Sequence, residues 1–269
     1  MSVLQAILLG LLQGITEFIP VSSSGHLVLV PWLLGWPAPS VAYNTIAHLG
    51  TLVAAVVYLR REVLALVRGW WGSVRTLKLE TTEARLSWLL IASAVPGALM
   101  GHFGSNFFEQ LFGSPRAVSL LLLVTGFLLF ASERLGRRTV PMGDIGLGQA
   151  LAMGLAQGCA IAPGLSRSGA TISMGLLCGL QREEAARFSF LMSIPIIAGA
   201  AATQWLQVSS SGLEASRGLQ LALGFVAAVV SGYAAIRFLL DHLQTHGLQP
   251  FSIYCWAVGI VGLLLSFLH

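Results

Sequence analysis

The chain has 269 residues, 55% of them hydrophobic and only 10% charged, with a mean hydropathy of +0.79. An ordinary soluble domain carries about 25% charged residues, so the composition excludes a globular cytosolic enzyme and points to an integral membrane protein. The net charge of +4 does not indicate a nucleic-acid partner, because the basic residues stand between apolar runs instead of forming a patch.

The runs are continuous and rich in Leu, Ala and Gly, without the alternation of a membrane β-barrel, so the expected fold class is all-α integral membrane. The N-terminal MSVLQAILLGLLQG has no Lys or Arg ahead of its apolar run and no small-residue cleavage site, and a cleaved signal peptide is not expected. Residues 3 to 35 are apolar but interrupted by QGITEFIPVSSSGHL. Uninterrupted runs follow at 44 to 59, 86 to 102 and 117 to 133. A second interrupted segment, 145 to 180, contains PGLSRSGAT, and further runs occupy 188 to 207, 218 to 238 and 252 to 268. Each uninterrupted run is long enough to span. The arms of the interrupted segments are too short for a hydrocarbon core of about 30 Å at 1.5 Å per residue. The expectation is six transmembrane helices plus two re-entrant helix hairpins.

Charge orients this arrangement. With the Arg60–Arg85 loop cytoplasmic, alternation puts Arg60, Arg61, Arg68, Arg75, Lys78, Arg85, Arg134, Arg137, Arg138, Arg182, Arg187 and Arg237 on one side, and only Arg116 and Arg217 on the other. Arg167, inside the second interrupted segment, is left without a topological role. Trp70, Trp71, Trp88 and Trp205 fall near span ends as interfacial anchors. Cys159, Cys178 and Cys255 show no ligand spacing and are expected to be buried small hydrophobes.

The two interrupted segments align at an offset of 144: Gly10, Leu11, Gln13, Gly14, Ser22, Ser24 and Gly25 match Gly154, Leu155, Gln157, Gly158, Ser166, Ser168 and Gly169. Three spans follow each hairpin, so the halves have opposite orientation. This is an inverted-topology repeat within a single membrane domain, repeat 1 at about 1–135 and repeat 2 at about 145–269, whose hairpin tips meet near the midplane.

Irregular backbone at membrane depth survives only against protein or a watery cavity, and intramembrane ionisable residues mark sites. Glu17 and Arg167 are such residues, with a structural ion pair as the plain alternative. Ser166, Arg167, Ser168 and Thr171, ahead of a resuming helix, suit an anion such as phosphate. Ser22, Ser23 and Ser24 supply hydroxyls in the first tip, although Ser24 and Ser168 are equally suited to capping. His26 follows Ser22 and Ser23 at a spacing that lets its ring approach either hydroxyl, as acid, base or nucleophile. Glu17 could hold a divalent cation or orient His26, and Gln13 shares its helical face.

QGITE followed by PVSSSGH, together with PGLSRSGAT, resembles the paired (E/Q)xxxE and PGxSRSxxT motifs of the undecaprenyl-diphosphate phosphatase family, bacterial membrane enzymes that confer bacitracin resistance. The resemblance extends over the whole chain. It implies hydrolysis of the C55 isoprenyl diphosphate to its monophosphate, returning the carrier to peptidoglycan synthesis, with Mg2+ or Ca2+ dependence. The matching positions make Glu17, Ser23, His26 and Arg167 catalytic and Gln13, Ser22, Ser24, Ser166, Ser168 and Thr171 substrate-binding, with Glu17 the candidate metal ligand. Gln13 stands where many members have Glu. The resemblance implies the bacterial cytoplasmic (inner) membrane and an extracytoplasmic active site, and it leaves a homo-oligomer open. The competing function is a secondary transporter or flippase for an anionic or phospholipid-like substrate, since broken helices in inverted repeats also build transporters. A transporter needs no nucleophile, whereas Ser and His stand beside Glu in the first tip.

Overall fold

The computed structural model describes residues 1–211 and 218–268, without the side chains of 105–107, 109–110, 112 and 205–211. Arg217, His269 and the Trp205 side chain therefore lie outside the described residues. The chain forms α1 (Val3–Phe18), α2 (Ser23–Leu33), α3 (Val41–Tyr58), α4 (Arg60–Thr76), α5 (Thr82–Phe112), α6 (Pro115–Leu135), a 3-10 turn (Met142–Asp144), α7 (Leu147–Cys159), α8 (Arg167–Leu177), α9 (Arg182–Ser211), α10 (Gly218–Thr245) and α11 (Gln249–Leu265). One isolated bridge between Val140 and Leu180 is the only β pairing among the described residues.

Five helices are long and apolar enough to cross a membrane: α3, α6, α10, and the Thr82–Gly104 and Arg182–Gln204 stretches of α5 and α9. That is the make-up of a multi-pass membrane protein. Two more, α1 and α11, are apolar but shorter. The interrupted segments fold as helix pairs, α1/α2 and α7/α8, with arms of 16, 11, 13 and 11 residues.

Large apolar side chains such as Leu120, Val124, Phe127, Ile253 and Ile260 face outward, while Ser93, Ser119, Thr125, Ser132, Ser189, Ser193, Ser231 and Ser252 are buried. Most of these hydroxyls bond a carbonyl three or four residues back in their own helix, which satisfies them where no water is at hand. Small residues let backbones touch. A Cβ on Gly10 would fall 2.4 Å from the Gly224 carbonyl oxygen, and one on Gly154 would fall 2.2 Å from that of Ser93, so α1 lies on α10 and α7 on α5. At one end of the bundle, buried Glu133 receives Arg182, Arg138 and the Leu248 amide, joining α6, α9 and the α10–α11 turn.

Two expectations change here. The Arg60–Arg85 region, expected as a loop, is helical over Arg60–Thr76. Its charges lower the mean hydropathy, yet Leu64, Val67, Trp71 and Val74 form an exposed stripe at helical spacing. Of the cysteines only Cys255 is buried; Cys178 is partly exposed and Cys159 exposed, each standing at the C-terminal end of a short hairpin helix, α8 and α7. Trp70, Trp71 and Trp88 cluster, and the Trp88 indole donates to Ser73 (3.0 Å).

Candidate active site between the hairpin tips

Each tip is a short turn followed by a serine-capped helix. Ser22 caps α2, its hydroxyl accepting from the Gly25 amide at 3.2 Å; Ser166 caps α8, accepting from the Gly169 amide at 3.0 Å. The capping serines are thus Ser22 and Ser166, two positions earlier than Ser24 and Ser168. The latter two instead place their hydroxyls 3.3 Å from those of the caps. Both caps are nearly inaccessible to water.

Ser22 has φ 73° and ψ 96°, a left-handed conformation that costs a non-glycine residue on the order of 1–3 kcal/mol and persists where the surroundings enforce it. His26 ties down the carbonyl of this residue. Its backbone amide and its Nδ1 both donate to the Ser22 carbonyl, at 3.2 and 2.8 Å. Since a carbonyl can only accept, Nδ1 carries the proton; Nε2 pairs with the Tyr254 hydroxyl at 2.8 Å, accepting from it when the ring is neutral. The two rings are stacked. With both nitrogens occupied, His26 is not on the Ser22 or Ser23 hydroxyl; the turn at Ser22 rotates the imidazole toward α11.

The Ser23 hydroxyl is taken by Glu17 instead, donating to Oε2 at 2.5 Å. Gln13 Nε2 donates to the same oxygen at 2.9 Å. Arg167, from the other tip, donates to Oε1 at 2.8 Å and reaches the Ser189 carbonyl with its other terminal nitrogen at 3.4 Å. One buried carboxylate therefore joins the two tips. Thr171 donates to the Arg167 carbonyl and lies 2.6 Å from the Ser189 hydroxyl, fixing the turn that carries the guanidinium. The second tip is anchored on α6: Thr125 donates to the Gly164 carbonyl and accepts from the Ser166 amide. Gly164 has φ +99°, and a Cβ there would fall 2.3 Å from the Val118 carbonyl oxygen, so only glycine fits.

A cavity of about 710 Å³ opens on this constellation. Glu17, Ser22, Ser23, Ser24, Ser166 and Arg167 line it, with Leu27, Val28, Trp32, Ile196, Ile197 and Ala200 forming an apolar wall. Gln13, His26, Ser168 and Thr171 are buried outside the lining. The lining also holds Asn44, Thr45, His48, Gln157 and Gln204, none of which the motifs suggested. His48 Nε2 lies 3.8 Å from Glu17 Oε2. Asn44 and His48, four residues apart in an otherwise apolar run, form a polar stripe that could have marked α3 as a cavity wall. Tyr254 carries no local signal; 228 residues separate it from its partner.

The family model described as bacitracin resistance protein BacA matches residues 6–261. The chain belongs to the BacA family. Members similar to it over nearly their full length are named undecaprenyl-diphosphatase. One from Thermomicrobium roseum is 42% identical over 98% of each chain. Another from Pelobacter propionicus is 44% identical over 99% of this chain and 98% of its own. A third from Rubrobacter xylanophilus is 44% identical over 96% of each.

Proposed function

We propose that this BacA-family chain is a membrane hydrolase that converts undecaprenyl diphosphate to undecaprenyl phosphate and inorganic phosphate, so that the lipid carrier re-enters cell-wall synthesis. The observation that carries the mechanism is the Ser23 hydroxyl held at 2.5 Å by the Glu17 carboxylate, with Arg167 on the other carboxylate oxygen, in a largely apolar cavity. Glu17 takes the serine proton as Oγ attacks the terminal phosphorus. The P–O bond to the lipid-bearing phosphate breaks, undecaprenyl phosphate leaves, and water then releases phosphate from Ser23. Arg167 and the tip hydroxyls of Ser22, Ser24 and Ser166 receive the charge on the non-bridging oxygens. His26 is a positioning residue: it holds Ser22, and through it the adjacent nucleophile. Ser168 and Thr171 support the second tip, and Gln13 orients Glu17.

Mg2+ or Ca2+ fits this site in one way. Among the described residues no three His, Cys, Asp or Glu side chains cluster, but Glu17 lies beside the buried, unpartnered Gln13 Oε1. Glu17 and Gln13 would hold the cation, since a carboxylate and an amide oxygen are the hard ligands it takes. When bound, the cation would neutralise phosphate charge.

The same proposal includes six spans, with α11 the sixth, two re-entrant hairpins and inverted repeats of about 1–135 and 145–269 in one domain. Packing supports the repeat: Gly10 meets Gly224 and Gly14 meets Ala228 and Ser231, while Gly154 meets Ser93 and Gly158 meets Gly97 and Met100. The cavity reaches Pro39, Gly113 and Pro115, ahead of α3 and at the α5–α6 turn, the opposite end of the helices from Arg60 and Arg182. With those arginines cytoplasmic, the mouth is extracytoplasmic, in the bacterial inner membrane. The deciding experiment is phosphate release from undecaprenyl diphosphate by purified protein, with and without EDTA, together with trapping of 32P on Ser23. Wild-type protein that binds the lipid without releasing phosphate would return the argument to a transporter.

A further inference from the structure

Gln157 is 3% exposed, lines the cavity, and has neither its amide nitrogen nor its amide oxygen in a hydrogen bond within the protein. The corresponding residue of the first hairpin, Gln13, gives its amide to Glu17. At the same offset of 144 the place of Glu17 is taken by Ile161, so the second hairpin keeps the amide and lacks its carboxylate. An unpartnered buried amide is costly to stability, and a group maintained at that cost inside a cavity is suited to a ligand.

Its position suggests which part of the ligand. Arg167 reaches the Ser189 carbonyl on α9. Gln157 Nε2 and Ile196 Cδ1 both approach Gly97, 3.8 and 3.6 Å from the point its Cβ would occupy. Ile196 is seven residues beyond Ser189, about 10 Å along the helix, and the α9 side chains after it, Ile197, Ala200 and Gln204, continue the cavity wall. Gln157 thus lines the same cavity as Ser23 and Arg167, near the stretch of α9 beyond Ser189. A diphosphate whose terminal phosphate rests on Ser23 and Arg167 would meet Gln157 by extending along that wall.

We infer that Gln157 is a second anchoring point, whose Nε2 donates to an oxygen of the phosphate that stays on the lipid. This rests on the phosphatase reading. The bond is present in substrate, transition state and product alike, so it acts on affinity more than on the chemical step.

The test compares wild type with Gln157→Leu and Gln157→Glu in detergent. Gln157→Leu is expected to raise KM for a prenyl diphosphate about tenfold, the weight of one hydrogen bond to a charged group, with kcat little changed. The inhibition constant of prenyl monophosphate should rise in parallel, and that of inorganic phosphate should not. Its melting temperature should hold or rise, since no internal bond is lost. Gln157→Glu should bind worse than Gln157→Leu, because a carboxylate repels the phosphate. An unchanged KM in Gln157→Leu would overturn the inference, as would a fall in melting temperature with unchanged monophosphate affinity. Retained affinity in Gln157→Glu would overturn it too, in favour of a cation ligand. Should wild type fail to turn over, the phosphatase reading falls by itself, and calorimetric binding of prenyl monophosphate to wild type and Gln157→Leu still decides the role of Gln157.

Discussion

The two hairpins share a frame, and two of the positions at which they differ decide what each brings to the cavity. In the frame, a serine caps the returning helix, a second serine two residues on meets its hydroxyl at 3.3 Å, and a glycine amide closes the turn, at Ser22, Ser24 and Gly25 and again at Ser166, Ser168 and Gly169. Between the serines stands Ser23 in one tip and Arg167 in the other; six residues before these stand Glu17 and Ile161. Ser23 and Arg167 end on the two oxygens of Glu17. Two copies of one turn therefore yield one asymmetric site, with the carboxylate and hydroxyl from one copy and the fixed cation from the other.

The largest expected effects remove what makes the tips different. Ser23→Ala and Arg167→Ala should each lower kcat/KM at least about a thousandfold, and Glu17→Gln nearly as much, as for removal of a nucleophile or its base. Ser23→Ala combined with Glu17→Gln should be little worse than Ser23→Ala alone, because the two act as one unit. Arg167→Lys should remain poor, since a point charge does not replace the planar fork. Strictly additive losses in the double variant, measured by phosphate release, would separate Glu17 from Ser23.

A smaller effect comes from making the hairpins more alike. Ile161→Glu gives the second tip the carboxylate of the first, within the cavity lining. It should compete for Arg167 and repel the diphosphate, raising KM about tenfold or more. Unchanged KM would mean that the substrate does not pass Ile161.

Much of this was legible in the sequence, for physical reasons. The hairpins announce themselves because polar residues and proline interrupt apolar runs, and the offset of 144 survives because the turn needs serine and glycine at fixed places. What was not legible depends on contacts between distant segments or on averages that hide a period. The helix at Arg60–Thr76 is masked by its arginines. The caps are Ser22 and Ser166 because the helices resume one residue after each, which spacing alone does not reveal. His26 faces Tyr254 because Ser22 is left-handed, and no sequence pattern specifies a positive φ at a serine.

The backs of the hairpins give a stability contrast of about 1–3 kcal/mol, the usual range for overpacking. A Cβ on Gly14 would fall 2.0 Å from the Ser231 hydroxyl and 2.6 Å from the Ala228 carbonyl, whereas one on Gly158 first meets the Met100 sulfur at 2.4 Å. Backbone cannot yield and a methionine side chain can. Gly14→Ala should lower the apparent melting temperature in detergent, and Gly158→Ala should leave it unchanged or raise it, since alanine also favours the helix. Equal losses would mean that Met100 is as fixed as the α10 backbone.

The smallest effect tests the remaining asymmetry, the histidine that only the first hairpin carries. Ala170 occupies the position matching His26 and needs no ring, because Ser166 has an ordinary extended backbone and its tip is held by Thr125. Tyr254→Phe removes the hydroxyl on His26 Nε2 but keeps an aromatic ring where Tyr254 stacks at 5.6 Å. If His26 acts by holding Ser22, this variant keeps the Nδ1 bond to the Ser22 carbonyl. It should then lose only a few-fold in kcat/KM, within the roughly 0.5–1.5 kcal/mol of one neutral hydrogen bond, with the pH–rate profile unmoved. His26→Ala should lose considerably more, because the strained turn is released and Ser23 leaves Glu17. If His26 instead exchanges protons with substrate or water, removing its Nε2 partner changes its basicity, and the profile of Tyr254→Phe shifts along the pH axis. A shifted profile with undiminished rate at its new optimum would make His26 a proton carrier and withdraw the positioning role.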